Sequence, residues 1–194
     1  MHLRAQTSGF NAMINLKTLT GSSLITIFLL IGLTELNANE SKEHIDVYKT
    51  PTCGCCVDWI KHIEVSDFAT AVFHPQDINA LKRQKGIKPQ YQSCHTGISK
   101  EGHIFEGHIP ARFIKEYLEN PIPDSIGLSV PGMPVGSPGM EVGDKFLPYR
   151  VLTLMKDGSV EIYKTVESID DQYSPDRRAS SQKATTKRLK TTRR

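Results

Sequence analysis

Cys53, Cys55 and Cys56 fall within four residues, as Cys53-Gly54-Cys55-Cys56, after the turn Thr50-Pro51-Thr52 and before a stretch with helical spacing. A thiol at a helix N-terminus sits where the helix dipole is positive and where backbone N–H groups lack partners. Both favour the thiolate, the form that binds soft metals and attacks disulfides. The chemistry to expect is therefore sulfur chemistry, on a metal or on another thiol. Cys53 and Cys56 project to the same end of such a helix, the spacing at which a CxxC pair opens and closes a disulfide. In a redox enzyme Cys53 would be the nucleophile and Cys56 the resolving thiol. Cys55 is surplus to that pair and invites wrong pairings. A soft-metal site has a use for it, because several thiolates bridge more than one monovalent copper ion. Cys94 is the natural fourth sulfur if its loop folds over the helix start. A four-cysteine zinc site prefers two separated pairs, which the adjacent Cys55-Cys56 fits poorly.

Nitrogen and thioether ligands are also at hand. His95 and His108 each lie in a glycine-containing loop after an apolar run, in Ser93-Cys94-His95-Thr96-Gly97 and Glu106-Gly107-His108. Imidazole suits copper in both oxidation states, directly or by orienting another ligand; the bland alternative for a loop histidine is solvation. His44, His62, His74 and His103 have weaker claims. Met133 and Met140 sit seven residues apart in a Pro/Gly loop where no helix or strand makes them core. Thioethers are soft, neutral ligands suited to Cu(I); the competing reading makes these methionines apolar plugs that fix the loop.

The elements that must position these residues follow from periodicity. His44 to Lys49 alternates as a strand, and Val57 to Ile63 has helical spacing with Trp59, Ile60 and Ile63 facing the core. Thr70 to His74 reads as a second strand. Asp77 to Lys85 reads as a helix with Asp77 as N-cap, Ile78 and Leu81 inward, and Gly86 as C-cap. The order strand, cysteine cluster, helix, strand, helix is the front half of a thioredoxin-like domain. Residues 91–109 read as short strands and loops, and Pro110 to Leu118 as an amphipathic helix. Pro121 to Pro148 reads as a long Pro/Gly loop, and Tyr149 to Met155 with Val160 to Thr165 as a C-terminal β-hairpin about Asp157-Gly158. The expected fold class is thus α/β, a thioredoxin-like single domain with that loop and hairpin.

The ends of the 194-residue chain differ from its middle. Leu24 to Leu33 (LITIFLLIGL) follows Lys17 and precedes Leu36-Asn37-Ala38, the layout of a secretory signal peptide over residues 1–39, with Met13 as a possible start. The run is too short for a membrane span, which needs about 20 apolar residues. From Ser174 the chain carries eight basic residues against the single acid Asp176 and no periodic apolar residues, so 174–194 is expected to be a disordered basic tail. Residues 40–173, the expected metal-binding domain, hold 14 Lys+Arg against 19 Asp+Glu. The overall charge of +3 thus comes from the tail and gives no sign of a nucleic-acid partner. Export would place the domain where disulfides persist. Three clustered cysteines, however, cannot staple distant parts of a fold.

TPTCGCC, then SCHTG, EGHIPA and VPGMPVGSPGME, resembles the CopG-type copper-resistance family of small exported proteins, from about Ile45 to about Thr165. Four motifs in the right order make the resemblance far more specific than CGCC alone. It implies a thioredoxin-like fold and a small, cysteine-bridged multi-copper cluster on the CxCC segment, with Cys53, Cys55, Cys56 and Cys94 as first-choice ligands. His95, His108, Met133 and Met140 fall on the family's motif positions. The function expected is a periplasmic copper-binding protein that holds Cu(I), contributes to copper tolerance and interconverts Cu(I) and Cu(II). The alternative is a thiol–disulfide oxidoreductase using Cys53 and Cys56. Copper ions and other periplasmic copper-handling proteins are the expected partners.

Overall fold

Alternation along EHIDVYK buries Ile45, Val47 and Lys49 of the first strand, β1 (Glu43–Lys49), and sets the register for the rest of the sheet. The computed structural model describes residues 42–173; the expected signal peptide and basic tail lie outside the described residues. Helix α1 (Gly54–Glu64) follows, then β2 (Phe68–Phe73), α2 (Ile78–Gln84), β3 (His95–Ser99), β4 (Ile104–Glu106) and α3 (Ala111–Glu119). The strands β5 (Ser125–Ser129), β6 (Tyr149–Met155) and β7 (Val160–Val166) follow, and a short 3-10 turn (Ile169–Gln172) comes after them. The seven strands form one mixed sheet in the order β2-β1-β3-β4-β5-β6-β7. β1 runs parallel to β2 and β4 parallel to β5, and the other neighbours are antiparallel. This is a single α/β domain. Among the described residues no helix is long and apolar enough to cross a membrane.

α1 turns Cys56, Trp59, Ile60 and Ile63 inward, the i, i+3, i+4, i+7 stripe of an amphipathic helix. α3 does the same with Phe113, Ile114 and Tyr117, and the two helices share one core with Ile45, Val47, Phe105, Leu128 and Val151 of the sheet. Close approach at this core dictates Gly97: a Cβ there would lie 2.9 Å from Ile45 Cγ2 and 3.4 Å from the Trp59 ring. A second, smaller cluster holds Ile87, Ile104 and Leu154. Ile104 and Phe105 belong to different clusters because successive side chains on a strand point to opposite faces.

Two expectations need correction. Asp77 caps α2 as expected, accepting from Ala80 N at 2.9 Å, but Ile78 and Leu81 are only half-buried and the side chain this helix buries is Lys82. The expected loop from 121 to 148 contains β5. Its SIGLS sequence has low intrinsic strand preference, yet β4 on one side and β6 on the other pair with it, and context outweighs propensity. The Pro/Gly loop proper therefore starts after Ser129, and the expected hairpin is β6–β7.

Candidate metal centre

Two separate parts of the chain supply the sulfurs. Cys53 occupies the N-cap of α1, with its amide donating to Thr50 O at 3.3 Å and no side chain capping the helix. Cys55 and Cys56 follow in the first turn. Cys94 stands immediately before β3, and pairing of β3 with β1 brings it to the start of α1. The sulfur of Cys94 is 3.4 Å from that of Cys56, and Cys53 and Cys55 are 3.5 Å apart at sulfur. Cys53 and Cys56 form a disulfide in this state, leaving Cys55 and Cys94 as free thiols.

The histidines approach the same sulfur from the other side. His95 Nδ1 lies 3.3 Å and His108 Nε2 3.1 Å from Cys94 Sγ. His108 Nδ1 is 2.8 Å from the carbonyl of Pro138, which can only accept, so Nδ1 carries the proton and Nε2 offers a lone pair towards Cys94. His95 is fully buried against Trp59, with ring centroids 4.2 Å apart, and its Nε2 has no hydrogen-bond partner among the described residues. Burial, and then the charges of His108 and Lys82, hold His95 well below the usual histidine range; burial also lowers His108. Both rings are neutral at neutral pH, the form that ligates metal. Burial, and then the neighbouring Cys55, push the Cys94 thiol up to about 12. Cys94 therefore keeps its proton until something displaces it, and a soft cation can do so.

The ligand atoms form two groups, Cys53-Cys55-Cys56-Cys94 and Cys94-His95-His108, each with its atoms within 4.8 Å of one another. Cys94 belongs to both. With the Cys53–Cys56 disulfide reduced, the set offers four soft sulfurs and two borderline nitrogens, a donor set for soft or borderline metal ions rather than hard cations.

The Pro/Gly loop closes one side of this arrangement. Gly139, at φ +83°, presses on the first turn of α1, where a Cβ would fall 2.7 Å from Cys55 O and from Trp59 N. Pro138 next to it holds His108. Met140 follows directly and is half-buried, with its amide bonded to Ser137 O at 2.8 Å. Met133 is 51 % exposed, farther back on the loop. The loop meets the site through the backbone of Gly139 and the carbonyl of Pro138. The other histidines have local partners: His44 pairs with Asp46, His62 accepts from Ala111 N, His74 contacts Lys49 O and His103 contacts Tyr117.

Sequence reasoning missed the buried Lys82 and Glu106, whose groups hold the backbone of Ser93 and the side chain of Thr96. The signal was present: a glutamate between apolar residues in IFEG and a lysine on the inward stripe of an amphipathic helix.

Comparison with known proteins agrees with this picture. The family model described as "Protein of unknown function, DUF411" matches residues 91–140, the stretch holding Cys94, His95, His108, Met133 and Met140. Among curated proteins, no sequence matches the chain. Two solved structures, both of a "Copper resistance protein copG" in forms 1 and 2, are 41% identical to it with a TM-score of 0.61. Each comparison covers 64% of this chain and 98% of the other. Near-complete coverage at that identity places the cysteine helix, the Cys94 strand and the Pro/Gly loop in one family: the chain belongs to the CopG-type copper-resistance proteins.

Proposed function

We propose that this chain is an exported, periplasmic copper-binding protein that contributes to copper tolerance by holding Cu(I) in a multinuclear site. The ligands are Cys53, Cys55, Cys56 and Cys94, extended by His95 and His108. The observation that carries this reading is the double membership of Cys94, whose sulfur is shared by a four-cysteine group and a Cys-His-His group. A thiolate shared between adjacent groups is what bridging of two monovalent ions requires. The copper-resistance relatives support the choice of metal. Met140 and Met133 serve delivery along the loop. The domain spans residues 40–173, preceded by the signal peptide and followed by the basic tail.

The same site supports a redox role. Closure of the Cys53–Cys56 dithiol to the disulfide releases two electrons and two protons, enough to reduce two Cu(II) ions to Cu(I). The order β2-β1-β3-β4, with α1 opening on the cysteines, supports a thioredoxin-like reading of the front half, and β5–β7 extend the sheet beyond it.

The Cys53–Cys56 disulfide at the head of α1 also favours a second reading, a thiol–disulfide oxidoreductase with Cys53 as nucleophile. Cys55→Ala separates the two. Under the copper reading it depletes the bound metal; under the oxidoreductase reading it leaves insulin reduction unchanged and copper is irrelevant.

A further inference from the structure

Lys82 and Glu106 are 1 % and 0 % exposed and form an ion pair beside the candidate metal centre. Burying two charges costs several kcal/mol each before their attraction repays it, and an apolar pair of similar size often serves stability equally well. The partners of this pair point to another use. Besides Lys82, Glu106 Oε1 accepts from the Ser93 amide at 2.6 Å, and Oε2 accepts from Thr96 Oγ1 at 2.6 Å. Lys82 Nζ donates in turn to Ser93 O at 2.8 Å. Both backbone polar groups of Ser93 and the side chain of Thr96 are thus tied to the pair, and between them lie Cys94 and His95. Ser93 Oγ also donates to Gly132 O, which ties the same residue to the Pro/Gly loop.

A cysteine held before a strand has no helix to fix its direction, in contrast to Cys53, Cys55 and Cys56. We propose that the buried Lys82–Glu106 pair is the positioning device for Cys94, setting its sulfur against Cys56 at the head of α1. Lys82 and Glu106 touch no ligand atom in this arrangement and act through Ser93 and Thr96. For its consequence at the metal, this inference rests on the copper reading above; its geometric content does not.

The test is therefore made first without metal. In a Cys53→Ser/Cys55→Ser background, Cys56 and Cys94 are the remaining thiols. Oxidised glutathione converts them to a disulfide, with two glutathione thiols formed for each bond closed. The equilibrium constant is the effective concentration of one thiol for the other. Lys82→Met/Glu106→Gln removes both charges while Gln keeps an acceptor for the Ser93 amide. The inference predicts that this effective concentration falls by about tenfold or more, and that Glu106→Gln alone lowers it in the same direction if the double variant does not fold. An unchanged constant in a folded variant overturns the inference whether or not copper binds. With copper, the same substitutions weaken Cu(I) binding when made in the parent chain and cause no further loss when made in a Cys94→Ser chain. A parent chain that binds no copper, with the glutathione constant still reduced in the variant, sinks the copper reading and leaves the clamp standing.

Discussion

The sulfur of Cys94 lies 3.4 Å from that of Cys56, although 38 residues separate them in the chain. β1 leads into the turn before α1, and β3 pairs antiparallel with β1 so that His95 stands opposite Lys49. The end of one strand and the beginning of its neighbour are thereby side by side, and the residues just beyond each, Cys53–Cys56 and Cys94, converge. The convergence of the four cysteines is a product of this one pairing.

Because Cys94 is shared by both ligand groups, its loss removes a vertex from each. Cys94→Ser is expected to reduce the copper retained per chain more than Cys53→Ser, which touches one group. Competition with a chromophoric Cu(I) chelator measures both. Equal losses would show that the two groups do not share a ligand.

Gly139 lies against Cys55 O and Trp59 N with positive φ, so Gly139→Ala meets both a steric and a conformational obstacle. We expect a destabilisation of about 1–3 kcal/mol in urea unfolding, with weakened copper retention because the loop must lift from α1. Gly132, at φ +69° but with open space around its Cβ position, is the control: Ala there should cost only about 1 kcal/mol.

Acid should weaken the metal-free protein through its buried histidines. Burial holds His95 and His108 below the ordinary histidine range when folded, whereas the unfolded chain takes up these protons at about 6.5. Their stabilisation is present above pH 6.5 and is lost as the pH falls through their folded values. The slope reaches at most about 1.4 kcal/mol per pH unit for each histidine. Urea midpoints from pH 8 to pH 5 should decline, and His95→Gln should flatten the decline. A midpoint that stays level in the parent chain would contradict these burial effects.

Trp59 Nε1 donates to the carbonyl of Ile109 at 2.9 Å from a fully buried position. Trp59→Phe leaves that carbonyl without its donor and removes part of the wall behind His95. A loss of about 1–3 kcal/mol of stability is expected from the unsatisfied group alone.

Much of this arrangement is legible in the sequence because short-range patterns determine it. The helix after the CxCC segment follows from Trp59, Ile60 and Ile63, and the Asp77 cap and the C-terminal hairpin follow from local turn and cap chemistry. Clustering of Cys53, Cys55 and Cys56 needs no fold at all. β5 is illegible because its stability comes from two neighbouring strands and not from Ser125-Ile126-Gly127-Leu128-Ser129 itself. Lys82 and Glu106 escape notice for a related reason. A charged residue on an inward stripe signals burial, but its partner is named only by the packing of α2 beside β4. The role of Pro138 in fixing the His108 tautomer depends on a carbonyl, which carries no residue-type signal.

The central claim is a multinuclear Cu(I) site built on Cys94 and the α1 cysteines. The most direct test is elemental analysis of the reduced full chain after anaerobic Cu(I) loading and desalting. The account predicts that more than one copper is retained per chain. No retained copper, with insulin reduction intact, would contradict it and assign the Cys53–Cys56 pair to thiol–disulfide exchange.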